Sequence, residues 1–144
     1  RILRGRCVHY PLSEASLRFK VQVNNTLNAL LEAGADFGTL WLEVKIEHYH
    51  WFPSTNRQLI MDVVEQCNAL GVKVGIYTSK YDWETIVGPS WTEVSSLPLW
   101  WFLYNGQSNF NNFIPFGGWN KPTIHQYSAS VNGACSVGQH ELAP

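Results

Sequence analysis

The sequence predicts an α/β fold whose strands curl into an irregular β/α barrel. Three observations carry that prediction. Two stretches share one grammar of helix, glycine stop and buried strand. Strands that alternate with helices imply parallel pairing through right-handed crossovers. After residue 97 the chain turns strongly apolar and aromatic, and only short loops separate its remaining strands.

Element by element, Cys7-Val8-His9-Tyr10 reads as the end of a first strand. Ser13 is a candidate N-cap for a helix striped by Leu17, Val21, Leu27 and Leu31 and stopped at Gly34. The next strand spans Phe37 to Val44. Ser54 then caps a second helix, with Leu59/Ile60, Val63/Val64, Cys67 and Leu70 at helical spacing, and Gly71 ends it. Val72 to Tyr77 is a buried strand, followed by a short helix near Asp82–Val87. Leu97 to Tyr104, Pro122 to Ser128 and Ser136 to Leu142 are the last strands, too closely spaced for regular crossover helices. Six strands fall short of a full TIM-like barrel, which typically needs about 250 residues. The expectation is one domain over residues 1–144, either compact and open or lacking its N-terminal strands.

Composition narrows the function classes. Aromatic residues make up 14% of the 144, far from a disordered or collagen-like chain. A net charge of −1 leaves no basic field for nucleic acid. No apolar run is long enough to span a bilayer, and Arg1 to Arg6 do not read as a leader, so a secreted protein would already have lost one. Arg1, Arg4 and Arg6 read most simply as a solvated basic end. Three cysteines, Cys7, Cys67 and Cys135, are too few for a disulfide scaffold and too dispersed for a zinc knuckle. They are either buried thiols or one bridge plus a thiol; Cys67 fits a helix core, which favours Cys7–Cys135 as the bridge.

Reactive groups in such barrels sit where strands end, at the carboxyl face. The segment there is Trp41-Leu42-Glu43-Val44-Lys45-Ile46-Glu47. Strand alternation puts Glu43, Lys45 and Glu47 on one face and Leu42, Val44 and Ile46 on the other. Such a charged face is either a solvated strand end with a salt bridge or the wall of a water-filled cleft.

The chain from about Val8 onward resembles glycoside hydrolase family 25, the Chalaropsis-type lysozymes, and most of all their animal and protist branch. The resemblance rests on Phe37-Gly38-Thr39-Leu40-Trp41-Leu42 and on Gly71 to Ser79 with Trp83, Ile86 and Gly88. Pro98-Leu99-Trp100-Trp101, Phe116-Gly117-Gly118-Trp119, Lys121-Pro122-Thr123-Ile124 and Gln126-Tyr127 follow in order. It implies a barrel that cleaves the β-1,4 bond after N-acetylmuramic acid in peptidoglycan, without a cofactor. It also implies a secreted or extracellular protein, or a vacuolar or lysosomal one. An Asp-x-Glu pair at a strand end would supply the general acid and a stabilising carboxylate.

Several acidic positions of that pattern are replaced. Glu43 stands where the resemblance places Asp, and Lys45 where it places the acid. Asn105 and Gly138 fall where further acids are expected, and the first-strand Asp has no counterpart. An ammonium holds its proton too tightly to act as an acid near neutrality. Some ~7 Å along a strand, it stabilises a carboxylate by about 2 kcal/mol at an effective dielectric of ~20, opposite to what a general acid needs. Glu47 is the remaining carboxylate that could substitute, given a bend in the chain.

Among Trp51, Tyr77, Trp100, Trp101, Tyr104, Trp119 and Tyr127, some would form a sugar-stacking floor and the rest the core. Trp100 and Trp101 must point oppositely, and Tyr77 and Tyr127, near strand ends, are the better candidates. Tyr77, Trp100, Tyr104, Asn105 and Tyr127 make the expected substrate-binding set. His48 and His50 with Glu47 are weak evidence of metal binding, and a solvated loop is the simpler reading, so no metal is expected. Asn24-Asn25-Thr26 matches a glycosylation acceptor within a helix. The leading expectation is a lysozyme-like barrel with lost or weak hydrolysis, retained to bind peptidoglycan or a related N-acetylated glycan, or for a structural role. A protein partner completing the barrel fits the short chain. The rival is a working muramidase using Glu43 and Glu47.

Overall fold

The structure, a computed structural model, describes residues 9–10, 16–49, 52–129 and 139–142. Its elements are β1 (His9–Tyr10), α1 (Ser16–Glu32), β2 (Leu40–Glu43), α2 (Pro53–Ala69), β3 (Val74–Thr78), α3 (Lys80–Val87), β4 (Leu99–Phe102), β5 (Ile124–Ser128) and β6 (Gln139–Leu142). A 3-10 turn, Ile46–His48, follows β2. The six strands form one sheet in the order β1-β2-β3-β4-β5-β6. Pairing is parallel from β1 to β5, and β6 joins β5 antiparallel with a register shift between Gln126 and Ser128. Among the described residues the architecture is the expected parallel α/β sheet, not closed into a barrel, with β1 and β6 at its edges.

Boundaries depart from expectation for local reasons. β2 begins at Leu40, three residues later than expected, where its backbone first meets Lys73 and Val74 of the next strand. α2 is entered through Phe52 and Pro53, so Ser54 lies inside the helix; proline suits the first turn because its missing N–H has no partner there. α3 starts earlier than expected because Ser79 Oγ accepts the Asp82 N–H at 3.1 Å, a true N-cap. In α1 the buried stripe runs through Val23 and Leu27; Val21 and Leu31 are exposed. Val21 lies about a third of a helical circumference from Leu27, and Leu31 stands on the last turn. Ser13, Cys7, Cys135, the Arg1, Arg4 and Arg6 end, His50, Trp51 and Gly138 lie outside the described residues. Cys67 is a buried free thiol on α2, and burial pushes its pKa up to about 11.

Alternation along the strands divides the apolar residues into two clusters. The larger, on the helix side, gathers Leu42, Val44, Val74, Ile76, Leu99 and Trp101 under Leu59, Ile60, Val63 and Val64 of α2 and Trp83 and Ile86 of α3. The smaller, on the opposite face, comprises Trp41, Tyr77 and Trp100, with Phe102 and Ile124 against it. Trp100 meets Trp41 edge-on at 5.6 Å and Tyr77 at 4.9 Å. The glycosylation triplet has a structural use: Asn24 Oδ1 accepts from Gln66 Nε2 at 2.7 Å, stapling α1 to α2.

Candidate functional site

Glu43 ends β2 on the face that also carries Trp41 and Tyr77, at the carboxyl edge of the sheet. The strand stops there, so Lys45 and Glu47 are placed by the following turn rather than by alternation. Lys45 stays on the Glu43 side: its Nζ lies 3.5 Å from Glu43 Oε1, over the rings of Phe102 (5.3 Å) and Tyr77 (5.8 Å). An ammonium over ring faces gains cation–π attraction, which fixes it there. Glu47 falls on the 3-10 turn, with its side chain 72% exposed, against 12% for Glu43. The expected common face of Glu43, Lys45 and Glu47 therefore holds for the first two alone. His48 Nε2 lies 4.0 Å from Glu43 Oε2 and from Glu47 Oε2.

The floor is aromatic and tightly bonded. Tyr77 donates to Gln126 Oε1 at 2.5 Å, and burial, with a hydrogen bond to Tyr104 and the charge of Glu43, raises its pKa. Tyr49, wholly buried, is raised by desolvation and by the Glu43 charge, and its hydroxyl has no hydrogen-bond partner among the described residues. Trp100 is fully buried beneath this floor and offers no ring face. Tyr104 is half exposed and stacks on Phe102 at 5.7 Å. Asn105 Oδ1 accepts from the Gln107 N–H at 3.0 Å, and Tyr127 accepts through its carbonyl from Gly106 N–H at 2.9 Å. Trp119 lies away from the site, edge-on to Trp83. Beside Tyr104 an open groove of about 520 Å³ runs between α3 and the β4–β5 loop, with Tyr81, Phe102, Leu103, Asn112 and Ile114 on its walls.

Sequence reasoning missed Asp82, Phe102 and Gln126. Asp82 had a readable signal, since Ser79-x-x-Asp82 directly after a strand is a capping pattern that returns a carboxylate to the strand's carboxyl end. Burial raises the Asp82 pKa, opposed by Ser79, the Lys45 charge and the Ile46 N–H. A carboxyl raised in the folded state stabilises below its unfolded pKa, and that contribution is lost as pH rises through the folded one. Asp82→Asn, neutral throughout, should therefore gain stability relative to the parent between about pH 3 and pH 7. Urea unfolding across that range checks it, and a pH-independent difference would contradict it.

An acidic side chain at a strand's carboxyl edge, an aromatic floor and an adjoining groove define the class: an α/β domain with an acidic, aromatic-floored cleft at the carboxyl edge of its sheet. Comparison with known proteins agrees. The model of the Lys-1, lysozyme-like protein 1, family matches residues 9–127. Lysozyme-like protein 5 of Caenorhabditis elegans is 42% identical over 116 residues, covering 81% of this chain and 54% of the relative. Probable GH family 25 lysozyme 5 of Dictyostelium discoideum is 38% identical over 120 residues, covering 81% and 55%. Among solved structures, the spore cortex lytic enzyme SleM of Clostridium perfringens superposes with a TM-score of 0.69 at 17% identity, covering 96% of this chain and 49% of that one. The family GH25 lysozyme of Aspergillus fumigatus gives 0.52 at 18% identity, covering 81% and 72%. The chain belongs to the lysozyme-like glycoside hydrolase family 25. It spans about half the length of the curated relatives it matches.

Proposed function

We propose that this chain binds an N-acetylated glycan of the peptidoglycan type at the carboxyl edge of its sheet and hydrolyses it weakly or not at all. One observation carries the reading: the Lys45 ammonium lies 3.5 Å from Glu43, and the family resemblance puts the general acid at the Lys45 position. A cation beside a carboxylate favours its charged form, the state that cannot donate a proton to a leaving oxygen. Loss of a general acid costs typically ~10²–10⁴ in rate. Tyr104 and the groove beside it supply stacking area for a pyranose. A substrate of this kind places the working site outside the cytoplasm, in the extracellular space, a vacuole or a lysosome.

A second reading has Asp82 in its favour, a half-buried carboxyl raised by desolvation beside Lys45. On that reading residual hydrolysis depends on Glu43 and Asp82 together. A bacterial cell-wall turbidity assay separates the two. The expected result is no clearance by the parent or by Lys45→Glu, because catalytic groups act as a unit and one reversion does not rebuild them. Clearance by the parent that disappears in Glu43→Gln overturns the first reading, and its disappearance in Asp82→Asn as well supports the second. Retention on intact peptidoglycan in a pull-down is expected, and its absence overturns the binding claim.

A further inference from the structure

The β4–β5 loop, which carries Tyr104 and Asn105, is fastened by a side chain that the cleft itself does not use. His125 of β5 is fully buried. Its Nδ1 lies 2.6 Å from the Asn109 carbonyl oxygen and its Nε2 3.0 Å from the Leu103 carbonyl oxygen. A neutral imidazole has one N–H donor and one lone-pair acceptor. Facing two carbonyls, the neutral ring would turn a lone pair onto an oxygen lone pair, whereas the imidazolium donates to both. The ring also stacks on Trp101 at 4.0 Å with 23° between planes, an arrangement that favours a cation over an indole face.

We propose that His125 is a positioning residue: doubly protonated, it clasps Leu103 and Asn109 together and so sets the wall formed by Tyr104 and Asn105. This rests on the glycan-binding reading and adds to it a proton requirement. The clasp needs both ring N–H groups, so it loses one of its two bonds whenever the ring gives up a proton. β4 brings no titratable group against the ring. The loop segment 103–123 contributes Tyr104 and Lys121, β5 itself contributes Tyr127, and β6 pairs Glu141 with His125 in register. Since apparent affinity scales with the fraction of molecules holding the competent wall, binding should weaken about tenfold from pH 5 to pH 8.

The test titrates a soluble N-acetylglucosamine–N-acetylmuramic acid tetrasaccharide against the parent, His125→Gln and His48→Gln across that range. The expected result is a slope with pH in the parent and in His48→Gln, and a flat profile in His125→Gln, whose amide is not titrated. A slope that survives in His125→Gln, or vanishes in His48→Gln, overturns the clasp. Nitrogen-15 spectra of the His125 ring in the parent need no variant to fold: two N–H nitrogens at pH 5 support the clasp, and one bare nitrogen there overturns it. If the parent binds the tetrasaccharide at no pH, the glycan reading fails, and the ring spectrum alone decides for or against the clasp.

Discussion

Replacing Trp83 with alanine is expected to cost about 3–5 kcal/mol, the range for deleting a buried tryptophan side chain. The indole is fully buried, stacked on Trp91 at 5.5 Å and edge-on to Trp119 at 4.8 Å. Trp119 in turn donates from Nε1 to the Leu97 carbonyl at 2.8 Å. No crossover helix joins β4 to β5, so this aromatic stack fastens the long connections around that part of the sheet to α3. The fit is close: a Cβ on Gly117, which sits at φ +57°, would meet Trp83 Nε1 at 2.6 Å. A cavity of indole size beside a left-handed glycine cannot collapse by a small shift. Thermal melts should fall by about 10–20 °C, and Trp83→Phe should retain more than half of the loss. A loss below about 1 kcal/mol in Trp83→Ala would show that neighbouring rings close the gap.

The second large effect is expected at Gly75, the second residue of β3. An added Cβ would come within 2.6 Å of Trp41 Cε3, and closer still to Cζ3. Trp41 has little room to yield, since Trp100 closes on it edge-on and the whole cluster underlies Glu43 and Lys45. Gly75→Ala should therefore destabilise by about 2–3 kcal/mol, an overpacking cost. Trp41→Leu should itself destabilise through lost burial, yet Gly75→Ala added to it should cost almost nothing. Contacting residues couple in a double-mutant cycle, and the expected coupling is on the order of 2 kcal/mol. Additive losses would mean that the backbone of β3, rather than the indole, rejects the methyl. Because the displaced ring underlies the cleft, glycan retention should fall further in Gly75→Ala than stability alone accounts for.

Elements governed by local rules were legible in the sequence. Gly34 and Gly71 take the positive φ that helix termination asks of them, and α2 buries Leu59, Ile60, Val63, Val64 and Cys67 as their spacing predicts, whereas Leu70, at the C-cap, is exposed. Opposite pointing of Trp100 and Trp101 was also readable, one entering each cluster. Tertiary contacts were not. Nothing in the helical period of α1 reveals that Leu31 stands beyond the reach of α2, nor does alternation reveal that β2 ends at Glu43. For the site, that strand end decided the outcome. Periodicity of two carries Glu43 and Lys45 correctly but fails at Glu47, because a 3-10 turn rotates successive side chains by about a third of a circle. Alternation along a single strand cannot place Asp82, because the cleft mouth is built from the ends of three.

The strand order, uninterrupted from β1 to β6, bears on how the chain acquires its fold. Each pairing joins segments that are neighbours along the chain, so no strand waits for a distant one to complete its ladder. Loop closure then rises only slowly in entropic cost from one step to the next, and a sheet so ordered can grow by accretion in the direction of synthesis. Glu43 and Lys45 come from the second strand and its turn, whereas Gln126 and His125 come from the fifth. A sheet growing in that order would lay down the acidic edge of the cleft before the wall that faces it.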